Sequence, residues 1–370
     1  MHIGVPKEIK TREYRVGLTP ASVAELTRLG HAVTVETQAG AGISLDDDQY
    51  RAAGAKIAKT SDEIFAEAEL IVKVKEPQLP ECAKLKPHHT LFTYLHLAAD
   101  KPQAEALCRS GCRAIAYETV TSPKGHLPLL QPMSEVAGRM SIQVGAHALE
   151  KTAGGRGLLL GGVPGVAPAK VVILGGGVAG ENALQMAIGV RADVTLFEKS
   201  IARITELDTL YGKDARILYS TGAAVREAVL DADLVIGAVL IPGAAAPKLV
   251  TRAMLKEMKP GAALVDIAID QGGCFETSHP TTHDDPTYEV DGIVHYCVAN
   301  MPGGVARTST FALNNATLPF TIALAQKGTD RALAEDPHLM NGLNIANGKV
   351  VLKVVADAID MPYTAYTPAA

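Results

Sequence analysis

The sequence predicts an α/β protein of two doubly wound domains, with a cleft between them and long helices linking them. Three observations predict it. Short apolar runs alternate with helical patterns twice, once from the N-terminus and again from Lys170. A glycine loop from Leu174 to Gly180 stands at the strand-to-helix junction that opens the second series. The length, 370 residues, exceeds what one ordinary core holds.

Taken in order, His2–Val5 reads as a strand. Thr19-Pro20 then opens a helix, with Thr as cap and Pro in the first turn, and Gly30 closes it. Ala32–Glu36, Leu70–Lys75, Thr90–His96 and Arg113–Glu118 read as further strands separated by helical stretches. From Ser134, as cap, to about Thr152 runs a long helix, and a Gly-rich loop follows. The second series places strands near Val171–Leu174, Asp193–Phe197, Leu234–Gly237, Ala262–Ile267 and Ile293–Val298. A second long helix covers Gly304 to about Gln326, and the tail holds weaker helical pieces such as Val350–Ile359. The tail is too small for its own core, so it is expected to return to the first domain. The predicted domains are therefore 1–128 with 307–370, and 129–306.

Composition excludes several classes. Apolar residues make up 47% and charged residues 20%, which is globular rather than disordered. A net charge of −5, spread along the chain without a basic block, argues against nucleic acid or an anionic membrane as partner. The uncharged stretch around Gly157–Gly180 carries Pro164 and Pro168 and many glycines, which suits a loop and buried strand rather than a membrane helix. The charged start, MHIGVPKEIKTRE, lacks an apolar signal core, so a cytoplasmic location is expected. Five cysteines without a CxxC pair, and dispersed histidines, form no metal-ligand set; reduced thiols are the expectation.

The chemistry begins at LGGGVAG. Gly175, Gly177 and Gly180 form a GxGxxG between the apolar run KVVIL and the helical ENALQMAIG. The first glycine permits a tight turn, the second a close backbone approach to a pyrophosphate, the third close helix–strand packing; the helix N-terminus supplies N–H groups to phosphate. Glu198 ends the next strand, where an acidic residue holds the ribose hydroxyls and repels a 2′-phosphate. That favours NAD over NADP, although Lys199 and Arg203 close by pull the other way. In the first series, Arg15, Lys75 and His96 fall in loops or at strand ends, where open α/β sheets bind ligands. Arg15 offers a planar fork for a carboxylate, Lys75 a second cation, and His96 a proton shuttle near neutral pH. Asp270 follows the strand LVDIAID in the second domain, whereas Asp266, inside that strand, reads as structural.

The segments GVPKEIKTREYRVGLTP, KVKEP, TYLHLA, DLVIGAVLIPGAAAPKLVTRAMLKEMKPGAALVDIAIDQGG, VANMPGGVARTST and FALNNATLP resemble the alanine dehydrogenases and the NAD component of proton-translocating transhydrogenases. The resemblance runs from the first residues to about Leu324 and more loosely through the tail. It implies two Rossmann-like domains, a substrate domain and an NAD domain, in a homohexamer. It implies reversible NAD-dependent oxidative deamination of L-alanine to pyruvate and ammonium. By the same resemblance Arg15 and Lys75 hold the substrate carboxylate and oxo group, and His96 and Asp270 form the acid/base pair. Ser134, Val178, Ala179, Glu198, Arg203, Ser220, Val239, Leu240, Ile267, Asp270, Val298, Asn300 and Met301 then line the NAD and nicotinamide site. The family usually carries Asp where this chain has Glu198; the longer side chain can still chelate a diol. Rival readings are a transhydrogenase NAD component, a saccharopine-forming dehydrogenase with a larger pocket, and a non-catalytic NAD binder on the same fold.

Overall fold

A computed structural model describes residues 1–239 and 246–368. Among these residues the strands are, in chain order, β1 (His2–Val5), β2 (Ala32–Glu36), β3 (Lys56–Ala58), β4 (Leu70–Val72), β5 (Thr90–Thr93) and β6 (Arg113–Ala116). Then come β7 (Lys170–Leu174), β8 (Asp193–Glu198), β9 (Ala215–Tyr219), β10 (Leu234–Gly237), β11 (Ala263–Asp266), β12 (Thr287–Val290) and β13 (Ile293–Tyr296). The tail adds β14 (Leu343–Ala346) and β15 (Lys349–Val350). The chain divides into two compact units, one of Met1–Met133 with Val305–Ala370, the other of Ser134–Gly304.

The first unit holds one sheet in the order β15-β14-β6-β5-β4-β1-β2-β3. β1 to β6 pair in parallel, and β14 adds antiparallel to β6. The strands IGV, LIV and TLFT are buried, as a sheet covered on both faces requires. The tail is part of this core: Ile345, Val350, Val355, Ala356 and Ile359 pack with Leu91, Leu107 and Ala114. Each of the Ile, Val and Leu side chains among them contributes about 1.5–3 kcal/mol when fully buried.

The second unit holds the sheet β12-β13-β11-β10-β7-β8-β9, parallel except for β12. The chain runs outward from β7 through β8 to β9, then crosses back to β10 on the other side of β7. This reversal places a topological switch point beside the exit of β7.

Two expectations need correction. Ser134 does not cap the long helix; it is an interior residue of a helix that starts at Gln131 and ends at Ala148. Pro132 marks the first turn there, where proline costs nothing because its missing N–H would be unpaired anyway. The strands leading to Lys75, His96 and Glu118 stop at Val72, Thr93 and Ala116. Lys75 and His96 therefore stand in loops beyond their strands, and Glu118 in the 3-10 turn Tyr117–Thr119. Asp270 likewise lies past β11, in the 3-10 turn Ile267–Gln271.

Candidate active site

In the first unit the exits of β4 and β5 bring Lys75 and His96 into contact, and the loop after β1 places the Arg15–Glu13 pair within reach of the Lys75 charge. Lys75 Nζ stands 3.5 Å from His96 Nε2. Arg15 is 2% exposed. Glu13 grips its guanidinium in a fork, with Arg15 Nε donating to Oε1 at 2.7 Å and Nη2 to Oε2 at 2.6 Å. Nη1 donates to Met133 Sδ at 3.2 Å, a weak acceptor. Burial alone would raise Glu13 and lower Arg15; the charge-assisted fork outweighs it, so Glu13 titrates below and Arg15 above the ordinary range. The loop is held from behind by the helix Ala306–Lys327: Thr19 N donates to Asn314 Oδ1 at 2.8 Å and Val16 N to Thr310 Oγ1 at 3.4 Å.

Lys75 is presented by a carboxylate below it. Glu8 Oε1 accepts from Val74 N at 2.7 Å and from Lys75 N at 3.4 Å. The other Glu8 oxygen meets the buried Lys73 at 2.9 Å, and Lys73 also pairs with Glu81 at 2.9 Å. His96 is exposed, has a left-handed backbone (φ 51°), and stacks its ring on Tyr94 at 5.7 Å. Tyr94 is fixed through its hydroxyl, which donates to Leu129 O at 2.5 Å.

In the second unit the described residues expected at a cofactor, apart from Ser134 and Arg203, lie in the glycine loop or in the segments that follow the carboxyl ends of parallel strands; Arg203 lies in the helix Ile201–Tyr211. Gly175 adopts φ 102°, and a Cβ there would sit 2.9 Å from Ala238 O. Gly177 is exposed at the N-terminus of the helix Val178–Gly189, with open space where a Cβ would be. Gly180 packs so closely that a Cβ would meet Gly175 O at 1.8 Å. These are the turn, approach and packing roles that the motif requires. Gly180→Ala is therefore expected to abolish NADH binding in a fluorescence titration, since the clash is with backbone and cannot be relieved by a rotamer; retained binding would contradict this packing role.

Glu198 ends β8 and ties that strand to the loop. Its Oε2 accepts from Gly176 N at 2.8 Å, and Oε1 accepts from Lys199 N at 2.6 Å and Ser200 N at 2.8 Å. Ser200, not Glu198, caps the following helix. Arg203 Nε donates to Gly176 O at 2.8 Å, and its other nitrogens pair with Glu181 and, at 2.7 Å, Glu206. Ser220 directly follows β9, and its N–H donates to Glu198 O at 2.9 Å. Val239 follows β10, Ile267 follows β11, and Val298 is buried just past β13. Asn300 has φ 65°, its carbonyl is 3.2 Å from His283 Nε2, and Met301 is buried beside it. Val178 and Ala179 form the first turn of the dinucleotide helix. Leu240 lies outside the described residues. Asp270 is exposed on its turn, while the buried Asp266 accepts from Ala268 N, Cys274 N and Ser278 Oγ, as its structural reading requires.

Sequence reasoning missed Glu8, Glu13 and Glu118, which organise the first cluster, and Gly138. A Cβ on Gly138 would meet Ala179 O at 2.1 Å, so this glycine lets the helix Gln131–Ala148 touch the start of the dinucleotide helix. Glutamates next to the cationic residues were the available signal, but sequence does not distinguish a buried carboxylate from a solvated one.

Both halves match known domains. Residues 4–137 match the alanine dehydrogenase/PNT N-terminal domain and residues 141–353 the C-terminal domain. The chain belongs to the alanine dehydrogenase/PNT family. An alanine dehydrogenase of Halomonas elongata is 59% identical over 98% of both chains. A solved L-alanine dehydrogenase superposes with a TM-score of 0.95 at 51% identity, covering 97% of this chain and 99% of that one. A solved transhydrogenase from Sinorhizobium meliloti gives 0.80 at 25% identity, covering 95% and 99%. The family's two-domain α/β architecture is thus the one described above. No helix of the described residues is long and apolar enough to cross a membrane.

Proposed function

We propose that the chain is an NAD-dependent L-alanine dehydrogenase, interconverting L-alanine with pyruvate and ammonium. The observation that carries this is the cluster of Arg15, Lys75 and His96, with Nζ and Nε2 3.5 Å apart. An amino or oxo acid needs a cation for its carboxylate and a proton carrier at its reacting carbon, and one cluster holds both. The first unit is accordingly the substrate domain and the second the NAD domain. The glycine loop and Glu198 fit a dinucleotide. Arg203, neutralised by Glu181 and Glu206, does not present an uncompensated charge for a 2′-phosphate, which supports NAD over NADP. A homohexamer and a cytoplasmic location accompany this reading through the family resemblance.

The glycine loop and Glu198 would hold NAD, which would supply the hydride acceptor for Cα of the substrate with its amine neutral. Arg15 receives the carboxylate through the end of its guanidinium, while Glu13 keeps the fork aimed. Lys75 holds the oxygen that develops at Cα. Water adds to the carbon of the protonated imine as His96 takes a water proton, giving the carbinolamine. The proton then returns to nitrogen, the C–N bond breaks, and the hydroxyl proton leaves with ammonia as ammonium. Asp270 is the second acid/base group in this proposal.

The test is NADH formation by purified protein with NAD and L-alanine at alkaline pH, beside the reverse reaction with pyruvate and ammonium. NADP, glycine, serine, and lysine with oxoglutarate run in parallel. The fold likeness to a transhydrogenase keeps one rival alive; that protein would bind NADH yet show no alanine-dependent reduction. Glu198→Ala is expected to lower kcat/KM for NAD about 10- to 100-fold, the range of one lost charged hydrogen bond, and to narrow the NAD/NADP ratio. An unchanged ratio would remove Glu198 from cofactor selection.

A further inference from the structure

We infer that Glu118 is a positioning residue for His96, an inference that rests on the acid/base reading of His96 above. His96 is neither Gly nor Asn, yet its backbone lies in the left-handed region at φ 51° and ψ 33°. That conformation costs an L-residue free energy and persists only where its surroundings enforce it. The enforcing group is on the neighbouring strand's exit. Glu118 stands in the 3-10 turn Tyr117–Thr119 directly after β6, which pairs in parallel with β5 through Thr93 and Ala116. Its Oε1 accepts from His96 N at 2.6 Å and from Leu95 N at 3.2 Å, and Oε2 lies 3.3 Å from Leu95 N.

Two successive N–H groups converging on one anion make a nest, a shape that binds carboxylates and phosphates from solution in other proteins. Here the chain supplies its own anion. The same strand exit is pinned on its other side, where Thr93 Oγ1 donates to Lys75 O at 3.0 Å. Tyr117, beside Glu118, packs edge-on against Tyr94 at 5.1 Å, and Tyr94 stacks on the His96 ring. Glu118 thus fixes where the imidazole leaves the backbone, and the tyrosines fix its plane. Both act on the separation between Nε2 and Lys75 Nζ. Glu118 needs no contact with substrate to control the proton transfer, because a displacement of about 1 Å can cost about 10²-fold in rate.

The experiment compares Glu118→Ala, Glu118→Asp and Glu118→Gln by steady-state amination of pyruvate, with NADH binding by fluorescence and thermal unfolding alongside. Glu118→Ala is expected to lower kcat about 10- to 100-fold while NADH affinity stays at the unaltered protein's value. Glu118→Asp, one methylene short of the nest, is expected to lose activity similarly, and it serves if the alanine variant does not fold. Glu118→Gln keeps an acceptor oxygen and is expected to recover most of kcat. The deciding measurement repeats Glu118→Asp in a His96→Asn background. A group that acts through His96 adds no further loss there. An equal loss in both backgrounds, or a Gln variant as impaired as Asp, overturns the inference. High turnover in His96→Asn alone instead overturns the acid/base reading on which it rests.

Discussion

Replacing His96 is expected to lower pyruvate amination and alanine deamination by about 10²- to 10⁴-fold, the range of a positioned general acid–base group, while leaving NADH binding intact. The geometry gives the reason. A lysine ammonium has donors only, so in the Lys75–His96 contact Nε2 is the acceptor. A neutral imidazole in that contact carries its proton on Nδ1, and Nε2 holds the lone pair that a reacting water needs. At 3.5 Å the contact is at the outer edge of hydrogen bonding, leaving Nε2 able to exchange this partner for substrate. Alanine is a poor choice of substitute on its own, because it keeps the left-handed backbone without a side chain suited to it. Asparagine tolerates that conformation better and cannot shuttle a proton. His96→Asn and His96→Ala should therefore both lose turnover, with the asparagine variant melting closer to the unaltered protein. Turnover within about tenfold of normal in either variant, outside that range, would sink the role.

How much of this was legible follows from burial. The central strands β1, β4, β5, β7, β10 and β11 carry apolar runs because a parallel sheet is covered on both faces, and those runs are readable. The unread strands β3, β9, β12 and β15 are the outermost of their sheets or adjoin only one neighbour. β9, for example, buries Ile217 alone among its five residues, so its sequence ARILY carries no run to read. β14 is an inner strand next to the edge and is fully buried, but LNIA hides Asn344, whose Nδ2 is spent on Thr119 Oγ1 and Gly342 O at 2.9 Å. The glycine loop was more legible than the cluster of the first unit. A glycine loop is a backbone device, and backbone demands show directly as glycine. The candidate cluster depends on which glutamates are buried and which N–H groups they reach across strands. The φ of His96 and the nest under it arise from pairing between β5 and β6, and no local pattern encodes them.

Lys73 is the most consequential buried charge outside the candidate site, and its burial too is hidden from the sequence. In LIVKVK it reads as one more polar position, yet it is 0% exposed and binds two carboxylates, Glu8 and Glu81, each at 2.9 Å. Burial alone would lower its pKa; the two carboxylates outweigh that and hold it above the ordinary lysine value. Burial pushes Glu8 up from 4.5, with Lys73 pulling back. Lys73→Met keeps the length of the side chain and removes the charge, stranding two buried anions. The expected loss is about 3–5 kcal/mol of unfolding free energy, measured by denaturant titration. The loss should depend on pH. A carboxyl whose folded pKa is raised contributes stability that is present below its unfolded value and lost as pH rises through the folded one. Removing Lys73 raises Glu8 further, so the deficit should shrink as pH falls toward 4.5 and grow on the neutral side. Adding Glu8→Gln and Glu81→Gln to Lys73→Met keeps an acceptor for the Val74 and Gln78 N–H groups and removes both anions, and should restore most of the stability. Glu8 also holds the Lys75 backbone, so Lys73→Met should raise the KM for pyruvate even at temperatures where it stays folded. A deficit that is flat with pH would mean that packing, rather than stranded charge, is what Lys73 provides.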